Sequence, residues 1–240
     1  MHPPFASVWF DCDSTLCAIE GVDELLQFAQ KSLREDIAVL TREAMEGRLP
    51  LAAVYESRLR LLAPSQEQIT AIGELYVLRM VQDAHAVIAA LQFLGKQIGI
   101  ISGGLLPPVQ RVAAALGIEK ACVHAVPIEF AADGSYRDFD KSSPLWRNGG
   151  KVEVLRALPK SSRPIAFIGD GATDLETQGT ADLFIGFGGV AVRQTVKANA
   201  QAYFATPSLA PLLTFVLTAE ERSRLQNKLR FADLLTRSIL

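Results

Sequence analysis

The chain has little that would staple, anchor or steer it. Among its 240 residues are three cysteines, Cys12, Cys17 and Cys122. Their number is odd, no C-x-x-C spacing occurs and no paired histidines accompany them, so neither a disulfide framework nor a zinc site is indicated. They suit a reducing, cytoplasmic setting. Charge of one sign is also lacking: 24 Lys and Arg stand against 26 Asp and Glu, a net charge of -2. No basic field exists to hold nucleic acid or an anionic membrane, and the expected partners are small molecules. No apolar run approaches the roughly 18 to 20 residues that a bilayer crossing needs, and Met1-His2-Pro3-Pro4 lacks the basic and apolar segments of a signal peptide. Internal repeats and low-complexity tracts are missing too. What remains is a globular chain long enough for one large domain or two modest ones.

The stretch that organises it lies near the start. Ser7-Val8-Trp9-Phe10 reads as a short buried strand, and Asp11-Cys12-Asp13-Ser14-Thr15 follows at its end. Two carboxylates one residue apart disfavour joint ionisation unless a cation or a shared proton offsets them. Taken alone, the same residues also make an ordinary strand-to-helix turn with a cap. Residues 19 to 80 then show helical periodicity and no strand, with Ser65 and Gln68 spaced as a capping box. From Ala84 the texture alternates. Gln97 to Ile101 reads as a strand, Ser102-Gly103-Gly104 as a turn into a helix near Pro107, and Val123 to Phe130 with Tyr136 to Phe139 as a hairpin about Asp133-Gly134. A helix from Lys151, a strand from Pro164 to Ile168, and further strands at Ala181 to Ile185 and Ala202 to Ala205 complete the pattern. The fold class is α/β: a doubly wound parallel sheet with an inserted all-helical region and a small β-hairpin flap. The expected division is a core of residues 1–16 and 84–217, a helical cap or lid of 17–83, and a helical extension of 218–240. The extension carries Leu225, Leu229, Leu234 and Leu235 on one face, which suits packing on the core and leaves a homodimer contact open.

In such a sheet the C-terminal strand ends share one edge, so loops distant in sequence converge. Asp11, Asp13, Asp170 and Asp174 would then form a carboxylate cluster suited to a hard divalent cation, magnesium best of all. Ser102 with Gly103 offers a hydroxyl and backbone N–H groups to an anion, and Lys151, behind Gly149-Gly150, a point positive charge.

These loops resemble the signature motifs of the haloacid dehalogenase superfamily of phosphohydrolases. The runs Glu20 to Leu25, Thr41 to Met45, Glu56 to Leu59, Ile101 to Gly104, Gly150-Lys151, Ile168 to Asp174, Ala181 to Gly189 and Val192 to Gln194 are similar to its phosphoserine phosphatases. That resemblance implies magnesium-dependent hydrolysis of O-phospho-L-serine to L-serine and phosphate, a step of serine biosynthesis, through an aspartyl-phosphate. It implies Asp11 as nucleophile and Asp13 as proton donor. Asp11, Asp170 and the Asp13 carbonyl would be the metal ligands. Ser102, Gly103 and Lys151 would hold the phosphate, and Thr173 and Asp174 would support the loop. Glu20 and Arg58 would face the substrate's ammonium and carboxylate, with Met45 as an apolar wall. Without the resemblance, a Glu or Arg on a helical segment is ordinarily a solvated face. Another small phosphomonoester, or transfer to an acceptor such as homoserine, is the alternative. A phosphate-binding switch is disfavoured, because binding alone needs no general acid. Two departures concern the insert: Asp83-Ala84-His85 stands where a Pro-Gly turn is usual, and Leu51 where an aromatic is usual. The first implies a loosely defined hinge. Cys12 reads as a space-filler, His85 and His124 as structural or exposed, and Arg193 as equally suited to the active-site loop and the surface.

Overall fold

The computed structural model describes residues 4–45 and 51–239, and of residues 41–45 and 51 the backbone alone. Its centre is strand β1 (Ser7–Phe10), whose four side chains are all buried. A strand with no polar face must be covered on both sides, which is the environment of a central parallel strand. It pairs in parallel with β2 (Gln97–Leu105) on one side and with β6 (Ile165–Gly169) on the other. Outward from these lie β3 (Val123–Val126) beyond β2, then β7 (Leu183–Phe187) and β8 (Ala202–Phe204) beyond β6, giving the order β3-β2-β1-β6-β7-β8. Both β1 and β2 run outward through β3, whereas β6 restarts beside β1, so the order of travel reverses between β1 and β6. That is where an open α/β sheet forms a crevice at its strand ends.

Between β1 and β2 the chain is helical: α1 (Gly21–Glu24) continuing into a 3-10 turn, α2 (Lys31–Met45), α3 (Leu51–Leu62), α4 (Gln66–Leu78) and α5 (Ala84–Phe93). Helix α4 starts at the anticipated capping box, with Ser65 Oγ accepting from the Gln68 N–H at 3.3 Å and the Gln68 side chain accepting from the Ser65 N–H at 2.9 Å. The remaining helices are α6 (Leu106–Ala115), α7 (Gly150–Ala157), α8 (Ala172–Leu175), α9 (Gln194–Asn199), α10 (Leu212–Val216), α11 (Ala219–Gln226) and α12 (Leu229–Arg237).

Two local expectations need correction. Ser102-Gly103-Gly104 is not a turn: β2 runs on through it to Leu105, with its register to β3 shifting between Ile101 and Leu105, while the helix does start beside Pro107, at Leu106. The stretch from Val123 to Phe130 is not one strand either. It divides at Pro127, which has no N–H to give a ladder, into β3 in the main sheet and β4 (Ile128–Phe130) in a separate hairpin with β5 (Tyr136–Phe139). Gly134, with φ of +80°, makes the hairpin turn, and its carbonyl accepts from the Gln66 N–H at 2.9 Å, tying the tip to α4.

At the C-terminus Leu225, Leu234 and Leu235 are buried while Leu229 is 96% exposed, so most of that apolar face is spent on the chain's own core. The junction of helical insert and core at Asp83 is more closely held than its sequence implied. Asp83 has a left-handed φ of +65°, and its carboxylate accepts from Ser208 Oγ at 2.7 Å and from Arg237 at 2.9 and 3.1 Å.

Packing between the central strands is tight where Trp9 lies opposite Gly99. The indole N–H is satisfied by Ser7 Oγ at 2.9 Å, and a Cβ at position 99 would come within 2.2 Å of the ring. Gly99→Ala therefore forces the strands or the indole to shift, and we expect a loss of about 1 to 3 kcal/mol in urea denaturation. An unchanged midpoint would show that the core accommodates the methyl group.

Candidate active site

The register of β1 and β6 determines where the first carboxylates stand. Phe10 is opposite Ile168, and the Asp11 N–H donates to the Ile168 carbonyl at 2.8 Å, so Asp11 and, after Gly169, Asp170 leave the sheet side by side. Asp174 lies on α8, one helical turn on, and its carboxylate folds back to accept from the Gly171 N–H at 2.8 Å. One carboxylate oxygen each of Asp11, Asp170 and Asp174 lies within 4.8 Å of the others, and all three residues are buried.

Lys151 and Arg193 offset this charge. From the first turn of α7, Lys151 Nζ sits 2.9 Å from Asp11 Oδ1 and contacts Asp174 Oδ1, with only 6% of its side chain exposed. The two carboxylates hold its ammonium well above the usual lysine range despite burial. Arg193 Nε is 2.7 Å from Asp170 Oδ2, and its Nη2 is 3.0 Å from Glu20 Oε1. Even so, burial and the Asp11 charge push the Asp174 carboxyl up to about 8, and the same two causes raise Asp170. Negative charge thus exceeds what the two cations can balance.

Asp13 faces a different set of groups. Its Oδ1 accepts from the Gly21 N–H at 2.9 Å and from the Tyr76 hydroxyl. Burial, then the charges of Glu20 and Asp11, push its carboxyl up to about 8. Burial and these two charges therefore favour the protonated form of Asp13 beside the Asp11 carboxylate.

These residues line a cavity of about 300 Å³. Around it the structure gathers Asp11, Asp13, Glu20, Arg58, Gly103, Lys151, Asp170, Thr173 and Asp174, all singled out in the sequence. Ser102 is fully buried and does not itself line the cavity, though its neighbours Gly103 and Gly104 do, and its Oγ accepts from the Gly104 N–H at 3.0 Å. It does not stand at a helix start. The side chain of Met45 lies outside the described residues. A larger cavity of about 700 Å³ beside Pro4 and α11 contains none of the sequence-selected residues.

The sequence reading missed Tyr76 and Tyr55 and left Arg193 undecided. Arg193 lies within a noted run, but nothing in that run showed a contact with Asp170. Tyr76 shows only as one apolar position on a helical face. Tyr55 lines the cavity one turn before Arg58, its ring edge-on to Phe139 of the hairpin at 5.5 Å. Arg58 pairs with Asp23 of α1. Cys12 is wholly buried, and contact with Cys17 together with burial holds its thiol well above the usual range, as a space-filler requires. His124 lies against Trp9 at 5.7 Å, and His85 is exposed.

A family model described as haloacid dehalogenase-like hydrolase matches residues 8–177. The chain belongs to that family. Among curated haloacid dehalogenase-like relatives, the phosphoserine phosphatase of Bos taurus is 37% identical over 199 residues, covering 82% of this chain and 88% of its own. The chloroplastic phosphoserine phosphatase of Arabidopsis thaliana is 35% identical over 198 residues, covering 81% of this chain and 66% of its own. A substrate-bound phosphoserine phosphatase structure superposes with a TM-score of 0.75 at 24% identity, covering 90% of this chain and all of that one, which extends the likeness to the whole fold.

Titration of Asp13 has a measurable consequence. Its folded pKa of about 8 lies above the ordinary 3.8, so between these values the folded protein keeps a proton that the unfolded chain has lost. The stability this confers is complete below about pH 4 and lost progressively as pH rises through about 8. With divalent cations chelated, denaturation midpoints should fall more steeply over that range in the wild type than in Asp13→Asn. Equal slopes would place the proton elsewhere.

Proposed function

We propose that this chain is a magnesium-dependent phosphoserine phosphatase, hydrolysing O-phospho-L-serine to L-serine and phosphate. The observation that carries this reading is the meeting of Asp11, Asp170 and Asp174 at one sheet edge, with Lys151 between Asp11 and Asp174 and with Asp13 held by Gly21 and Tyr76 in the same cavity. The donor set fits a hard divalent cation: three carboxylates with oxygens within 4.8 Å of one another, two of them raised in pKa by burial and then by the Asp11 charge. Asp11, Asp170 and the main-chain carbonyl of Asp13 would hold magnesium, with Asp174 and Thr173 orienting the loop. Once bound, the ion neutralises charge on the transferring phosphoryl group.

The chain's own residues supply the rest. A carboxylate oxygen of Asp11 attacks phosphorus, and an aspartyl-phosphate forms as the bond to the serine oxygen breaks. Asp13 gives its proton to that departing oxygen. The resulting Asp13 carboxylate then takes a proton from the water that cleaves the acyl phosphate, releasing phosphate and restoring both aspartates. Lys151 and the Gly103 backbone hold the phosphoryl oxygens, and Ser102, which accepts from Gly104, keeps its own hydrogen to offer them. At the far end of the substrate Glu20 meets the ammonium and Arg58 the carboxylate. Residues 17–83 act as a lid that brings these two groups to the core and excludes water.

Phosphate release from phosphoserine, phosphothreonine and sugar phosphates should favour phosphoserine by kcat/KM, with activity abolished by chelation and restored by magnesium. A better substrate elsewhere in the panel would overturn the specificity. Asp11→Asn should be inactive yet folded, and substantial residual turnover would remove Asp11 as nucleophile.

Glu20 also accepts from Ser14 Oγ at 2.6 Å and pairs with Arg193, so its charge is already partly met before an ammonium arrives. Glu20→Gln should therefore raise KM for phosphoserine by about tenfold, a charged hydrogen-bond contribution of ordinary size, while affecting a simple aryl phosphate less. Equal losses on both substrates would take Glu20 out of the amino-group role.

A further inference from the structure

The Asp13 carboxyl has two oxygens, and the surrounding chain treats them differently. Oδ1 receives two donors, the Gly21 N–H at 2.9 Å and the phenolic hydroxyl of Tyr76. Those occupy both lone pairs of a carbonyl-type oxygen. Oδ2 receives no donor from the protein among the described residues. It faces Gly104, where a Cβ would stand 2.9 Å away, and Gly104 lines the same cavity as Asp11. Tyr76 comes from α4, wholly buried, 63 residues along the chain from the acid it touches. Its hydroxyl reaches Asp13 because residue 21 is glycine: a Cβ there would lie 2.0 Å from the Tyr76 oxygen. The N–H of Gly21 and its missing side chain thus serve one arrangement.

We propose that Tyr76 is a positioning residue for Asp13: together with the Gly21 N–H it saturates Oδ1, and so leaves Oδ2, on the cavity side, as the oxygen that carries and delivers the proton. This rests on the reading of Asp13 as the general acid of a phosphomonoester hydrolase. The atoms balance as before, with the Oδ2 hydrogen passing to the departing serine oxygen. Oδ1 remains hydrogen-bonded to Tyr76 and Gly21 throughout, so the carboxylate formed is stabilised without turning. A carboxyl free to rotate would spend part of its time with the proton on the far side, and the loss would appear where protonation of the leaving group is needed.

The test compares two leaving groups using kcat/KM, which covers the steps through departure of the leaving group. Serine leaves as a poor alkoxide and needs the proton, whereas p-nitrophenolate departs unaided. Tyr76→Phe should lower kcat/KM for phosphoserine by about tenfold, a fraction of the 10²- to 10⁴-fold that general acid catalysis supplies, with a loss on p-nitrophenyl phosphate at least several times smaller. Gly21→Ala approaches the same hydrogen bond from the other side and should show the same split, which guards against a packing effect peculiar to the tyrosine. Asp13→Asn is the benchmark, with the same discrimination in larger measure. Equal losses on both substrates in Tyr76→Phe and Gly21→Ala would make Tyr76 merely structural, and no loss would make the hydrogen bond idle. Either result overturns the proposal while leaving the acid in place. Should Asp13→Asn itself show no discrimination between leaving groups, the reading of Asp13 as acid fails, and the proposal with it.

Discussion

Lys151 places one positive charge between Asp11 and Asp174 where water scarcely reaches, and much of the molecule is arranged so that this is tolerable. A buried ammonium without partners would be driven neutral, and buried carboxylates without a cation would take up protons. Neither alone is stable in that place. The sheet settles the matter by geometry: β1 and β6 release Asp11 and Asp170 side by side, α8 turns Asp174 back over the same edge, and α7 starts where its first turn reaches the gap. Arg193 adds a second cation from the start of α9. The surplus of negative charge that remains is a standing demand for another cation, and it gives the cluster its capacity to hold one.

The raised pKa of Asp13 belongs to the same electrostatic arrangement. Lys151 and Arg193 serve Asp11, Asp170, Asp174 and Glu20, but Asp13 is met by neutral donors only, from Gly21 and Tyr76. Neutral donors cannot outweigh burial together with the charges of Glu20 and Asp11. In the proposed mechanism two aspartates separated by one residue thus acquire opposite jobs through their neighbours: one beside an ammonium as a nucleophile, the other beside a phenol as an acid.

Much of this was legible before any coordinates. The buried Ser7-to-Phe10 run, the alternation after Ala84 and the polar residues at three strand ends dictate a parallel sheet with its chemistry at one edge, and that edge holds nearly every residue selected for it. Short-range signals held where one mechanism governs, as at Ser65 and Gln68. They failed where a tertiary partner decides. Gly103 and Gly104 look like turn residues, yet β2 continues through them, across a register shift, to pair with β3 again at Leu105. Tyr76 is an unremarked apolar position in α4 because its single polar contact lies 63 residues away. Arg193 could not be placed for the same reason, its partners Glu20 and Asp170 lying 173 and 23 residues distant.

The contact between Asp83 and Arg237 joins positions 154 residues apart. Asp83 is where the helical segment hands the chain back to the sheet, and Arg237 ends the last helix. A change in the last helix that moves Arg237 is therefore felt at the joint between the helical segment and the sheet.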